Sequence, residues 1–150
     1  MNTYVSHIRI ILFAFGLLFS ISSYSQTIYT EDFETNFDSD TNGWTLSRIV
    51  SDMDWEGGNG GTPSGGTGPS GANSGSYYMF TESSGSNTLS KEATATSPSI
   101  DLSGYSSPSL SFYFHMYGNN IGDLSIEVNN GSGWISLLTI SGQQHVNDSN

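Results

Sequence analysis

The chain has 150 residues, with 14 acidic side chains against 3 basic ones, a net charge of −11 and no cysteine. That charge excludes nucleic acid and anionic membrane surfaces as partners, because both would repel it, and the missing thiols exclude disulfides, thiolate zinc sites and cysteine nucleophiles. Only 11% of residues are charged, 13% are aromatic and Gly fills 18 positions, which is the profile of a loop-rich all-β domain and not of a helical or charge-rich disordered chain.

Residues 1–25 read as a secretory signal. His7 and Arg9 precede an apolar run from Ile10 to Ile21 broken only by Gly16 and Ser20, and Ser23 and Ser25 stand at −3 and −1 of a cut before Gln26. The run is too short for a membrane anchor, which takes ~20 apolar residues. The expected location is therefore secreted, extracellular or at the cell surface, with residues 26–150 forming one domain.

In the rest of the chain, alternating apolar and polar residues predict strands at 28–34, 44–50, 76–82, 92–100, 109–117, 123–128 and 134–140. The clearest is 109–117. Leu110, Phe112, Phe114 and Met116 fall on one side and Ser111, Tyr113, His115 and Tyr117 on the other, so a central strand covered on both faces is expected. The strand 123–128 places Leu124, Ile126 and Val128 inward, and Asn129-Asn130-Gly131-Ser132-Gly133 turns it tightly into Trp134. Residues 57–75 include nine glycines among nineteen positions, with Pro63 and Pro69. Such a stretch suits either a linker or a long surface loop. Only two predicted strands precede it, too few for a separate domain, which favours the loop.

Asp38-Ser39-Asp40-Thr41-Asn42-Gly43 repeats the first half of an EF-hand loop, with oxygen ligands at alternating positions and Gly sixth. A calcium ion needs six to eight such oxygens. The twelfth position, which should be Glu, is Ile49, so the alternative is a polar turn into the next strand. Trp55 and Trp134, each beside a glycine-rich turn, could stack on a sugar or pack across strands. Asn130-Gly131-Ser132 and Asn147-Asp148-Ser149 are N-glycosylation sequons in hosts that have the machinery. No catalytic residue is expected: there is no His-Glu-x-x-His helix and no Gly-x-Ser-x-Gly elbow. His115 reads as a strand histidine, not a base. Asp123 and Glu127 would stand about 13 Å apart at a strand rise of ~3.3 Å per residue, beyond glycosidase geometry.

Several pieces, in order, resemble the MAM domain family of meprins, neuropilins and receptor tyrosine phosphatases. They are Asp32-Phe33-Glu34, Gly43-Trp44, Ser51-Asp52-Met53-Asp54-Trp55, Thr62-Pro63-Ser64, Gly68-Pro69-Ser70, Gly75-Ser76-Tyr77-Tyr78-Met79-Phe80, Ser97-Pro98 and the run from Leu110 to Gly118. The resemblance implies an antiparallel β-sandwich of jelly-roll type (concanavalin A-like). It implies an interaction or adhesion role with an extracellular protein or glycan as partner, including homotypic association. It also makes Glu34 a candidate ligand of a structural Ca2+, beside Asp38, Asp40 and Asn42. Asn42 and Ser109 stand where the family usually has cysteines. The family continues with further strands, so the chain reads as the front of a longer secreted protein, where a catalytic domain such as a peptidase could lie. The alternative function is a carbohydrate-binding module of a secreted hydrolase or peptidase.

Overall fold

The computed structural model describes residues 26–35, 40–46, 53–82 and 91–149, and every absence stated below refers to these. Six strands form three antiparallel pairs. β1 (Thr45–Leu46) pairs with β4 (Ala95–Thr96), β2 (Trp55–Gly58) with β3 (Tyr78–Thr81), and β5 (Asp123–Asn129) with β6 (Trp134–Ser141). The fold is all-β and antiparallel, as the composition suggests. Each sheet has two strands, so the described strands do not close into a jelly-roll sandwich.

The β5–β6 hairpin is the most regular part. Leu124 faces Ile140, Ile126 faces Leu138 and Val128 faces Ile135, so one side of the ladder is entirely apolar. The other side carries Asp123, Ser125 and Glu127 opposite Ser141, Thr139 and Ser136, with the Ser125 and Thr139 hydroxyls 3.2 Å apart. The Leu137-Leu138 doublet would break the alternation of β6. A register shift between Ile126 and Glu127 leaves Leu137 without an opposite residue, and this bulge returns Leu138 and Ile140 to the apolar side. At the turn, Asn129 Oδ1 accepts from Gly131 N at 2.8 Å and Asn130 Oδ1 from Ser132 N at 3.0 Å. Gly131 takes a φ of 89°, which a side chain would resist.

β2 and β3 flank the glycine-rich stretch and pair with each other, so that stretch is the connection of a hairpin. It is braced from within: Thr62 Oγ1 donates to Thr67 O at 2.9 Å and Thr67 Oγ1 to Ser64 O at 2.8 Å. Tyr78 anchors its start by donating from its hydroxyl to Gly60 O at 2.8 Å. β2 is absent from the sequence-based strand set because Gly57 and Gly58 mask it; glycine is a poor strand former, and only the partner β3 holds the segment extended.

Other expected strands shrink or vanish. Residues 28–34 form no strand, 92–100 contract to β4 before Pro98, and 76–82 contract to β3. Of 44–50, β1 is described and 47–50 lie outside the described residues. The largest correction concerns 109–117. It joins no ladder, and its first residues are exposed instead of covered, Leu110 at 66% and Tyr113 at 83%. Alternation marks two faces of an extended chain, but a strand also needs a neighbour for its N–H and C=O groups, and here none pairs with it.

Burial concentrates at the end of that segment. Met116 is the one large apolar side chain that is buried among the described residues, at 7% exposure. Two distant stretches, 68–70 and 143–148, close on the segment 116–118. Met116 O accepts from Gln144 N at 2.8 Å and from His145 N at 2.9 Å. Tyr117 O accepts from Gly68 N at 2.9 Å, and Asp148 O from Ser70 N at 2.7 Å. Gly118 N donates to Gln143 Oε1 at 3.3 Å. These bonds replace the missing ladder along 115–118.

Candidate functional site

The acidic residues near the start serve the backbone. Glu34 Oε1 accepts from Ser76 N at 2.8 Å and from Tyr77 N at 3.1 Å, tying the first segment to the approach to β3. Its carboxylate fills the space that a Cβ on Gly75 would need, and Gly75 has a φ of 70°, so two reasons demand glycine there. Asp40 Oδ1 accepts from Asn42 N at 2.9 Å, a tight local turn in which Asn42 adopts a φ of 48°. Asp38 lies outside the described residues.

Glu31 is a residue the sequence reading passes over. Its Oε2 accepts from the Tyr29 hydroxyl at 3.1 Å, Asn42 Nδ2 at 3.0 Å and Trp44 Nε1 at 3.2 Å, while Oε1 takes Phe33 N at 2.9 Å. Nothing in the sequence marks it, because its donors come from as far as Trp44. Burial raises the Tyr29 phenol above its ordinary value, and the Glu31 carboxylate adds to that against the opposing bond from Trp44.

Whether these donors suit a calcium ion can be tested on Asp54, whose Oδ1 is buried without a hydrogen-bond partner. Such an oxygen is what a cation would take. No group of three or more His, Cys, Asp or Glu is placed to hold a metal ion among the described residues. Glu34 accepts from the Ser76 amide, Asp40 from Asn42 N, and the Asn42 side chain donates to Glu31, so each of the three is held by a different contact.

The two tryptophans part company. Trp55 is half-buried in β2 and donates from Nε1 to Ala93 O at 3.1 Å, which makes it a structural pin. Trp134 is 55% exposed. It borders a shallow hollow of about 200 Å³ lined by Asn130, Ser132, Gly133, Trp134 and Ile135 at the hairpin turn.

The largest unusual feature is apolar surface. Leu137 is 60% exposed, and Ile135, Leu138 and Val128 of the same hairpin are also exposed. Leu110, Phe112, Tyr113 and Phe114 of the unpaired segment are exposed as well. Covering one such side chain is worth ~1.5–3 kcal/mol, so water is a poor solvent for this face. No Lys or Arg occurs after Lys91, so the hairpin lacks the basic side chains that commonly block strand pairing at an edge.

This exposed hairpin, the glycine-rich loop and the segment around Met116 all fall within residues 35–147, which match the family model described as MAM domain, meprin/A5/mu. No solved structure matches the chain. The match spans well over half of the sequence, and the chain belongs to the MAM domain family, whose members are non-catalytic adhesion modules that generally mediate extracellular protein interactions.

Proposed function

We propose that this MAM domain is an extracellular adhesion module, exported by residues 1–25, that associates with a second copy through the apolar surface of β5–β6 and residues 110–114. The observation that carries this reading is that the most regular ladder among the described residues leaves Val128, Ile135, Leu137 and Leu138 exposed to solvent. The jelly-roll sandwich is the arrangement we attach to this reading, with the apolar side of β5–β6 left at its surface. The chain supplies most of the negative charge against association. Without residues 1–25, which carry Arg9, the net charge is 2 − 14 = −12 and two copies repel, and salt screens that repulsion over a Debye length of ~8 Å at physiological ionic strength.

Sedimentation equilibrium tests the proposal. Association should grow with protein concentration and strengthen with added salt, because apolar burial survives screening while repulsion does not. Leu137→Lys together with Leu110→Lys should leave a monomer under the same conditions. A wild-type monomer at every concentration and salt level would defeat the reading.

A second reading rests on Trp134. An exposed indole beside a hollow can stack on a sugar ring, and the module would then hold a glycan. A glycan array that binds wild type and not Trp134→Ala supports it; a blank array, with calcium and with chelator, removes it.

A further inference from the structure

Two histidines meet where the 115–118 and 143–149 segments join. The rings of His115 and His145 stack with centroids 4.4 Å apart and planes 20° from parallel. Their hydrogen bonds assign the protons. His145 Nδ1 accepts from Met116 N at 3.1 Å, so that nitrogen carries a lone pair and the ring is neutral. His115 Nε2 lies 3.0 Å from Asn147 O, and a carbonyl can only accept, so the proton of His115 sits on Nε2. Its Nδ1 is then bare, and it is buried without a hydrogen-bond partner.

A second proton has no good place on either ring. On His145 it would point an N–H at the Met116 N–H and destroy the bond that aligns the two segments. On His115 it would create a buried donor with no acceptor, which is unfavourable. Either imidazolium would also lie against the other ring. The remaining titratable groups facing the pair are Asp148, whose charge favours a protonated His115, and Tyr117, whose ring meets His115 edge-on at 6.4 Å. Phe114 meets His145 edge-on at 5.6 Å and brings no charge. Burial first, then the neighbouring His145, hold the His115 imidazole below its ordinary value, against the smaller opposing effects of the Asn147 and Ser149 backbone and Asp148.

We propose that the His115–His145 stack is an acid-sensitive latch, which fastens residues 143–149 over Met116 while both rings are neutral and releases them in mildly acidic solution. The direction follows from proton linkage. The latched state binds fewer protons than the open one, so its stability is complete above the ordinary imidazole value of ~6.5 and falls as pH drops below it. Release uncovers Met116 and lengthens the apolar strip that begins at Leu110. The latch does not depend on association between copies, because every contact in it lies within one chain.

Hydrogen exchange read by NMR on the full chain tests this. Protection of the Met116, Gln144, His145 and Ser70 amides, corrected for intrinsic exchange, should fall several-fold between about pH 7.5 and about pH 5. The Ile126 and Leu138 amides of the hairpin ladder should not change. His145→Gln keeps an oxygen that can accept from Met116 N and cannot be protonated, so its loss should be well below that of wild type. Unchanged protection in wild type, an equal fall in the hairpin, or an equal fall in His145→Gln would each overturn the latch. Should His145→Gln fail to fold, the wild-type imidazole titration decides. A His115 midpoint below ~6.5 supports the latch, and one at or above it overturns it.

Discussion

The β5–β6 hairpin and the clasp around Met116 are opposites. The hairpin has a continuous ladder, a defined bulge and a clean apolar side, yet Leu137, Ile135 and Leu138 face solvent. The clasp has no ladder at all, yet it holds Met116 at 7% exposure with bonds among 68–70, 116–118 and 143–148. Regular hydrogen bonding is thus a local achievement of two neighbouring strands, whereas burial needs segments far apart in the chain. In this MAM module the buried methionine lies in the clasp and the exposed apolar side chains Ile135, Leu137 and Leu138 lie in the hairpin.

Substitutions can break that contrast. Met116→Ala should cost the most, ~2–5 kcal/mol as for other buried methionines, read as a fall in the urea midpoint. Gly118→Ala comes next. Gly118 is buried with a φ of 144°, and a Cβ there would sit 3.2 Å from Thr67 Cγ2. Strain at such a position costs ~1–3 kcal/mol and should loosen the contact between 67–68 and 117–118 first. Leu137→Lys should leave stability within ~0.5 kcal/mol, because an exposed bulge residue loses no packing, while still weakening self-association. A large stability loss from Leu137→Lys, or none from Met116→Ala, would reverse the roles given to the two regions.

The hairpin was legible in the sequence because its signals are local: alternation in 123–128 and an Asn/Gly turn before Trp134. The structure extends each predicted strand by one residue. The Leu137-Leu138 doublet shows in the sequence as a broken pattern, but only pairing with Ile126 and Glu127 turns it into a bulge. Residues 109–117 carry a still better alternation and form no strand, because the period reports faces and not partners. The glycines of β2 hide a strand for the converse reason.

Among the candidate site residues, Glu34 was visible as an isolated acid beside a family motif. Its role as acceptor for Ser76 and Tyr77 depends on chain closure over more than forty residues, which no spacing encodes. Trp55 and Trp134 look alike in sequence, each next to glycines. One is pinned by Ala93 O and the other is left open, a difference made by β2–β3 pairing and the hairpin turn. His115 reads as an ordinary strand histidine because His145, thirty residues on, supplies both its neighbour ring and the constraint on its charge.

Residue order alone establishes the all-β class, the β5–β6 hairpin, the acidic balance of the chain, and the ordered motifs that resemble the MAM family. These follow from composition and from conformational preferences that act over a few residues. Long-range packing decides the rest: which extended segments become strands, that Met116 and not Phe112 or Leu110 is buried, and that two histidines share one stack. Each of those outcomes depends on which distant backbone groups satisfy one another, and that choice is made by the chain as a whole.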